Sequence, residues 1–142
     1  MTVVDASVAV KWYLPETGSS EAGSLLSSSE PLFAPLLIKI EVTAAILRKY
    51  RNDEITEKRA VAACDEWLTA LADDTITLIP DEELFPEARL LAVELRHAFQ
   101  DCLYLACANR MKRPLLTADA TFAKRTEKKF PGVKLLAGLK PN

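Results

Sequence analysis

Short apolar segments separated by helix-length stretches are the feature of this sequence that most constrains its fold. Strands joined by connections of this length cannot be hairpin partners, so we expect them to pair in parallel through right-handed helical crossovers. This pattern predicts an α/β fold, a three-layer α/β/α domain. The predicted strands cover residues 2–5, 32–34, 75–79, 114–117 and 133–136.

Apolar residues between these strands recur at helical spacing. In one segment Ala60, Cys64, Trp67 and Leu71 share a helix face. Pro35 suits the first turn of another helix, because a proline there loses no intrahelical hydrogen bond. The predicted helices cover residues 6–13, 19–29, 36–51, 56–71, 83–96, 101–111 and 120–129.

Length and composition are those of an ordinary folded domain. The 142 residues are 49% hydrophobic and 27% charged, which predicts one domain over residues 1–142. The cysteines Cys64, Cys102 and Cys107 are odd in number and form no CxxC pair, so we expect reduced thiols in a reducing compartment. Neither a signal peptide nor a membrane span is apparent in the sequence, which predicts a soluble cytoplasmic protein without a membrane partner.

Glu41 stands out because its predicted helical neighbours are apolar. A buried carboxylate either becomes neutral or finds a cation, and none of those neighbouring positions carries Lys or Arg. Alternatively, the helix is rotated so that Glu41 is half exposed beside Lys39 and Arg48. The apolar neighbours, at three and four residues before and after it, are Leu37, Ile38, Ala44 and Ala45.

Three further acids occupy the ends of predicted elements. Asp5 and Asp119 follow strands and precede helices, and Asp101 opens a helix. Each of them taken alone is explained equally well or better as a helix cap. Taken with Glu41, however, they can converge at the carboxyl edge of a parallel sheet, where such folds place their sites.

Four converging carboxylates repel one another unless divalent cations bind. Ligation by oxygen without His or Cys selects hard ions, which predicts Mg²⁺, with Mn²⁺ as a substitute. Such a site suits phosphodiester hydrolysis, because the ion can activate water and neutralise the phosphate. The net charge of -2 argues against a strongly basic nucleic-acid binder, but cations bound at four acids would leave a slightly basic remainder.

Four segments carry a resemblance to a known family. They are Val-Val-Asp-Ala-Ser-Val-Ala-Val-Lys-Trp (3–12), Ile-Glu-Val-Thr-Ala-Ala-Ile (40–46), Asp-Cys-Leu-Tyr-Leu-Ala-Cys-Ala (101–108) and Leu-Leu-Thr-Ala-Asp (115–119). In order and spacing these motifs closely resemble the PIN-domain family, and within it the small ribonuclease toxins of VapC-like toxin-antitoxin pairs. The resemblance covers nearly the whole chain.

The resemblance implies a five-stranded parallel sheet, Mg²⁺-dependent endonucleolytic cleavage of RNA, a homodimer and inhibition by a cognate antitoxin protein. By motif position, Asp5 and Asp101 would make the principal metal contacts. Glu41 would complete the cluster, and Asp119 would support the same or a second ion. Ser7 and Thr117 match hydroxyl positions near the metal, although helix capping explains them equally well.

Several basic residues follow the acidic motifs directly. Lys11, Lys124 and Arg125 are therefore predicted to contact RNA phosphates. Lys128 and Lys129 are interpreted as part of a solvated face. The only histidine, His97, is interpreted as a surface or supporting residue rather than a general base.

Two other functions remain as alternatives. The first is a non-catalytic PIN-like module that binds RNA or protein, although the intact set of acids argues against it. The second is a phosphatase of the HAD type that uses Asp5 as its nucleophile. That enzyme class needs a second Asp two residues later, where this sequence has Ser7.

Overall fold

Strands and helices alternate along residues 1–139, the part of the chain that the computed structural model describes. The strands are β1 (Thr2–Val4), β2 (Leu32–Pro35), β3 (Thr77–Ile79), β4 (Leu115–Thr117) and β5 (Val133–Leu135). The helices are α1 (Ala6–Ala9), α2 (Ser19–Ser27), α3 (Ile38–Arg51), α4 (Glu57–Ala72), α5 (Asp81–Leu95), α6 (Phe99–Met111) and α7 (Ala120–Thr126), with short 3-10 turns at Val10–Trp12 and Leu136–Gly138.

All five strands are parallel and lie in the order β3-β2-β1-β4-β5. Val3 of β1 is in register with Phe33 on one side and with Leu115 on the other. The chain therefore builds the sheet outward from β1 in one direction and then returns to its other side with β4. This reversal leaves a crevice at the carboxyl ends of β1 and β4, and the predicted α/β fold is confirmed.

The core lies on the central strands and on α6. Val3 and Val4 are fully buried, and so are most residues of α6 between Cys102 and Ala108. A helix that is apolar on all sides needs cover on all sides, and α6 contacts β1, β2 and β4 as well as α5. This burial holds the first turn of α6 at the crevice.

The cysteines are free thiols, as the sequence predicted. Cys102 and Cys107 are buried, and Cys64 is half-buried. Within the described chain, none of the helices combines the length and the apolar composition that crossing a membrane requires.

Element boundaries differ from the predictions at several places that affect the site. Helix α6 begins at Phe99 instead of Asp101, so Asp101 lies inside its first turn. Pro35 ends β2 instead of opening α3, which begins at Ile38. The reason lies outside the segment, because the Leu37 amide before the helix donates to Asp81 Oδ1 at 3.0 Å. At the other end of the chain, α7 stops at Thr126 instead of Lys129, so Lys128 lies in a turn beyond it.

Candidate active site

A cavity of about 220 Å³ opens at the carboxyl ends of β1 and β4, in the crevice where strand order reverses. Four acids from four separate parts of the chain line it: Asp5, Glu41, Asp101 and Asp119. The structure thus brings together the four residues that the sequence singled out.

Asp5 follows β1 directly and is only 8% exposed. It is the N-cap of α1, because its Oδ1 accepts from the Ser7 amide at 2.9 Å and also from the Ser7 hydroxyl. Burial raises the pKa of Asp5 to about 6, and the negative charge of Asp101 adds to this effect. The hydrogen bonds from Ser7 and Thr117 lower the pKa and offset only part of it.

Ser7 and Thr117 tie the ends of β1 and β4 together. Ser7 Oγ accepts from the Ala118 amide at 2.9 Å and lies 3.5 Å from Thr117 Oγ1. Thr117 Oγ1 in turn accepts from the Asp119 amide at 3.0 Å. The two hydroxyls therefore hold the loops that carry Asp5 and Asp119 at a fixed separation.

Asp119 also combines a cap with a place at the cavity. Its Oδ1 accepts from the Phe122 amide at 3.0 Å, which caps α7. Capping and lining the cavity were alternatives in the sequence, and for both Asp5 and Asp119 the structure shows them together. Each strand-end acid is held in place by the helix that it starts.

Glu41 reaches the cavity from α3 and is half-buried. The helix is rotated relative to the apolar face drawn from the sequence, because Ala44 is exposed and the buried face is formed by Ile38, Val42 and Ile46. Burial raises the pKa of Glu41, and the charges of Asp101 and Asp81 add to this, while the hydrogen bond that Glu41 accepts from Tyr104 lowers it.

The partner of Glu41 is Tyr104, which sequence reasoning missed. The Tyr104 hydroxyl, on α6, donates to Glu41 Oε1 at 2.6 Å. The two residues are 63 positions apart, so no local pattern connects them. The signal available in the sequence was position alone, since Tyr104 lies one helical turn after Asp101.

Asp101 lies in the first turn of α6, where Ala98 is the N-cap. Its carboxylate is oriented by His97, whose Nε2 lies 2.6 Å from Asp101 Oδ2. The His97 side chain is only 10% exposed, and its ring packs against Phe122 at a centroid distance of 4.8 Å. The structure therefore places His97 as a support for an acid of the cavity.

His97 has a second polar neighbour on the other side of its ring. Arg125 Nη1 approaches His97 Nδ1 at 3.5 Å, and a guanidinium can only donate. This contact fits the tautomer that accepts at Nδ1 and donates from Nε2 to Asp101.

Among the described residues that line the cavity, Arg48 is the one basic side chain. It follows Glu41 by seven positions on α3, a spacing that returns to nearly the same helix face after two turns. From the sequence, Arg48 is expected only as a neighbour of a half-exposed Glu41. The spacing of seven was the signal that could have placed it in the site.

Lys11, by contrast, does not line this cavity. Its ammonium donates to Glu16 Oε1 at 3.0 Å and to the Thr17 carbonyl at 2.7 Å. These contacts hold it on the loop between α1 and α2. Lys124 and Arg125 line a second cavity, next to His97.

The chemistry of the lining decides which ion could bind. In residues 1–139 no three acidic, histidine or cysteine side chains are grouped as a ready-made metal site, so the four carboxylates surround the cavity without forming a closed ligand shell. Mg²⁺ usually keeps several of its waters and takes only one or two carboxylates directly. The oxygen-rich lining therefore fits a hydrated hard cation, which would also relieve the repulsion felt by Asp5 and Glu41.

The sequence matches one family model and two curated relatives. A family model described as "PIN domain" matches residues 2–128. Ribonuclease VapC1 of Mycobacterium tuberculosis, from the strains CDC 1551 / Oshkosh and ATCC 25618 / H37Rv, is 38% identical over 94 residues, which are 63% of this chain. The match spans 64% of the length of these curated relatives.

A solved structure supports the same fold. A chain of a "Toxin-antitoxin complex from Klebsiella pneumoniae" matches with a TM-score of 0.62, covering 96% of this chain and 98% of that chain. The two sequences are 17% identical, so this similarity speaks for the fold alone.

Proposed function

This chain belongs to the PIN domain family, and from that premise we propose that it is an Mg²⁺-dependent endoribonuclease with its active site in the four-carboxylate cavity. The observation that carries the proposal is the convergence of Asp5, Glu41, Asp101 and Asp119 on one cavity at the carboxyl edge of the sheet. The name of the relative, Ribonuclease VapC1, supports RNA as the substrate.

Asp5 and Asp101 would hold the ion most directly, Glu41 would complete the site, and Asp119 would support the same or a second ion. A bound Mg²⁺, or Mn²⁺ in its place, would supply Lewis acidity at the scissile phosphate and would make the attacking water more acidic. Three of the acids stay in place because Ser7, Tyr104 and His97 each donate to one of them, and Asp119 is held by the Phe122 amide.

Other groups of the chain would act on the RNA. Arg48 is placed to neutralise a phosphate oxygen on the α3 side of the cavity. Thr117 is fully buried and holds the Asp119 loop, so it would not touch the RNA and would act by positioning that loop. Positioned acids and one cation around a small cavity suit phosphodiester hydrolysis.

We further propose that the protein is a toxin held inactive by an antitoxin protein, and that it forms a homodimer. The toxin role is supported by the names of the relative and of the solved complex. A dimer is supported by apolar side chains that α5 leaves exposed, including Leu90 at 59% and Val93 at 77%. The free thiols fit a cytoplasmic location.

The test is RNA cleavage by metal-stripped protein before and after addition of Mg²⁺. We expect cleavage by the wild type, and losses of at least about a hundredfold for Asp5→Asn and Asp101→Asn. Asp65→Asn is the matched control, because it removes an exposed carboxylate on α4 outside the cavity. Undiminished cleavage by the two cavity variants would assign the activity to a contaminant.

A non-catalytic PIN-like module is the second candidate. The observation in its favour is that the described residues form no ready-made metal site. RNA binding without cleavage at any concentration of Mg²⁺ or Mn²⁺ would establish this candidate and remove the first.

A further inference from the structure

A second cavity, of about 510 Å³, lies between the C-terminal end of α5 and helix α7. We call it the basic cavity, because five cationic side chains and one carboxylate line it in a protein whose net charge is -2. Its charged lining residues are Glu94, Arg96, Lys124, Arg125, Lys128 and Lys129.

The cations of the basic cavity differ in what they already bind. Lys129 Nζ donates to Glu94 at 2.7 Å, and this ion pair neutralises both groups. Within residues 1–139, Lys124 and Lys128 have neither a hydrogen-bond partner for their ammonium groups nor an ion pair. Cations crowded without counter-charges raise the local positive potential and attract anions.

Arg125 differs from the lysines because it is anchored. Its Nη1 donates to the Arg96 carbonyl at 2.8 Å and approaches His97 Nδ1 at 3.5 Å. A guanidinium has five donors in a fixed plane, so its outer edge stays available to a phosphate. The anchoring means that little side-chain freedom is lost when a phosphate binds.

The basic cavity is joined to the carboxylate cavity by a short chain of contacts. Arg125 touches His97, and His97 Nε2 lies 2.6 Å from Asp101 Oδ2. One imidazole ring and two polar contacts therefore separate the anchored guanidinium from an acid of the proposed active site.

We propose that the basic cavity binds the backbone phosphates of the RNA strand on one side of the phosphodiester that is cut. The inference rests on the proposed function, and it specifies in addition where the RNA strand runs on the protein surface beyond the phosphodiester that is cut. Exposed lysines around one anchored arginine suit a strand with repeated phosphates, because phosphate contacts set the position of a nucleic acid without reading its bases. Under this proposal Lys128 contacts a phosphate, whereas the sequence alone placed it on a solvated face.

The first test measures binding without cleavage. A labelled oligouridylate is titrated in EDTA with protein carrying Asp5→Asn, and fluorescence anisotropy is followed at several salt concentrations. Adding Lys124→Ala and Lys128→Ala should weaken binding about tenfold at low salt and reduce the slope of log K against log salt by about 1.4, since each phosphate contact on a single strand contributes about 0.7.

Two controls separate a site from general charge. Lys58→Ala with Lys134→Ala removes two exposed lysines that lie outside both cavities and should leave the slope unchanged. Lys129→Ala removes the lysine that is already paired with Glu94. It should reduce the slope of log K against log salt by less than Lys124→Ala or Lys128→Ala alone. Equal slopes for the cavity pair and the control pair would overturn the proposal.

The second test uses cleavage by otherwise wild-type protein. The pair Lys124→Ala and Lys128→Ala should raise KM for a long RNA without lowering kcat. It should leave cleavage of a dinucleotide unaffected, because the single phosphate of that substrate would occupy the active site and leave none for the basic cavity. Cleavage of long RNA with unchanged KM would overturn the inference and leave the proposed function standing. No cleavage by the wild type would overturn the proposed function. If the substitutions in the basic cavity left RNA binding intact and weakened the binding of an acidic protein instead, the cavity would be a protein-binding site and the inference would be wrong.

Discussion

Replacing Asp5 by asparagine should stabilise the metal-free protein while removing its activity. The folded state raises the pKa of Asp5 from 3.8 to about 6, mainly by burial. A folded carboxyl group with a raised pKa contributes stability while it is protonated, and that contribution is lost as the pH rises from about 4 through 6. At pH 8 the ionised Asp5 therefore costs the fold free energy.

The magnitude follows from the pKa difference. A pKa that rises from 3.8 to about 6 corresponds to about 3 kcal/mol, and solvent screens little of this energy because Asp5 is only 8% exposed. Asparagine carries no charge, has nearly the same shape and is as good an N-cap, so the hydrogen bonds from Ser7 can remain. We expect Asp5→Asn to be more stable at pH 8 by up to about 3 kcal/mol, or about 10 °C in Tm.

The assay is thermal and urea unfolding in EDTA at pH 5 and pH 8, for the wild type, Asp5→Asn and the exposed control Asp65→Asn. At pH 5 the advantage of Asp5→Asn should shrink to about half, and the control should stay within about 0.5 kcal/mol of the wild type. Mg²⁺ should raise the Tm of the wild type and not that of Asp5→Asn. A variant less stable than the wild type at pH 8 would refute the reasoning, because the hydrogen bonds to the charged carboxylate would then outweigh its burial.

Three further variants probe the groups around the acids. Tyr104→Phe removes the donor to Glu41, so the pKa of Glu41 should rise further and Mn²⁺ affinity measured by calorimetry should fall about tenfold; unchanged affinity would exclude Glu41 from the metal site. His97→Ala should lower Mn²⁺ affinity by about 10–100-fold, because the contact to Asp101 is lost. His97→Gln should recover part of this affinity. An equal loss in both variants would indicate a packing defect instead. Arg48→Ala should raise KM for RNA about tenfold with Mn²⁺ affinity intact, compared with Lys58→Ala, and a KM equal to that of the control would remove Arg48 from the substrate site.

The fold was predictable because its determinants are local. Strands joined by helix-length connections are expected to pair in parallel, and the five-stranded parallel sheet confirms this prediction. Asp5 and Asp119 could be placed for the same reason, since acids that follow strands of a parallel sheet must lie at its carboxyl edge. Their roles as metal ligands stay predictions.

The rest of the site depends on distant contacts that no local pattern contains. The rotation of α3, which sets how deeply Glu41 is buried, follows from packing, and the Glu41 partner Tyr104 comes from another helix. The hydrogen bond from Lys11 to Glu16 forms because the loop between α1 and α2 folds back toward Lys11. Periodicity assigns residues to faces, but tertiary contacts decide which faces meet.

We propose that RNA cleavage by this protein requires a metal ion bound in the carboxylate cavity. The direct measurement is the rate of cleavage of one RNA by metal-stripped protein as Mg²⁺ is added, for the wild type, Asp101→Asn and Asp65→Asn. We expect cleavage by the wild type and by Asp65→Asn to rise from none to the same plateau, while Asp101→Asn stays at least about a hundredfold slower at every Mg²⁺ concentration. Cleavage that does not depend on Mg²⁺, or an Asp101→Asn curve that superimposes on the wild type, would contradict the proposal.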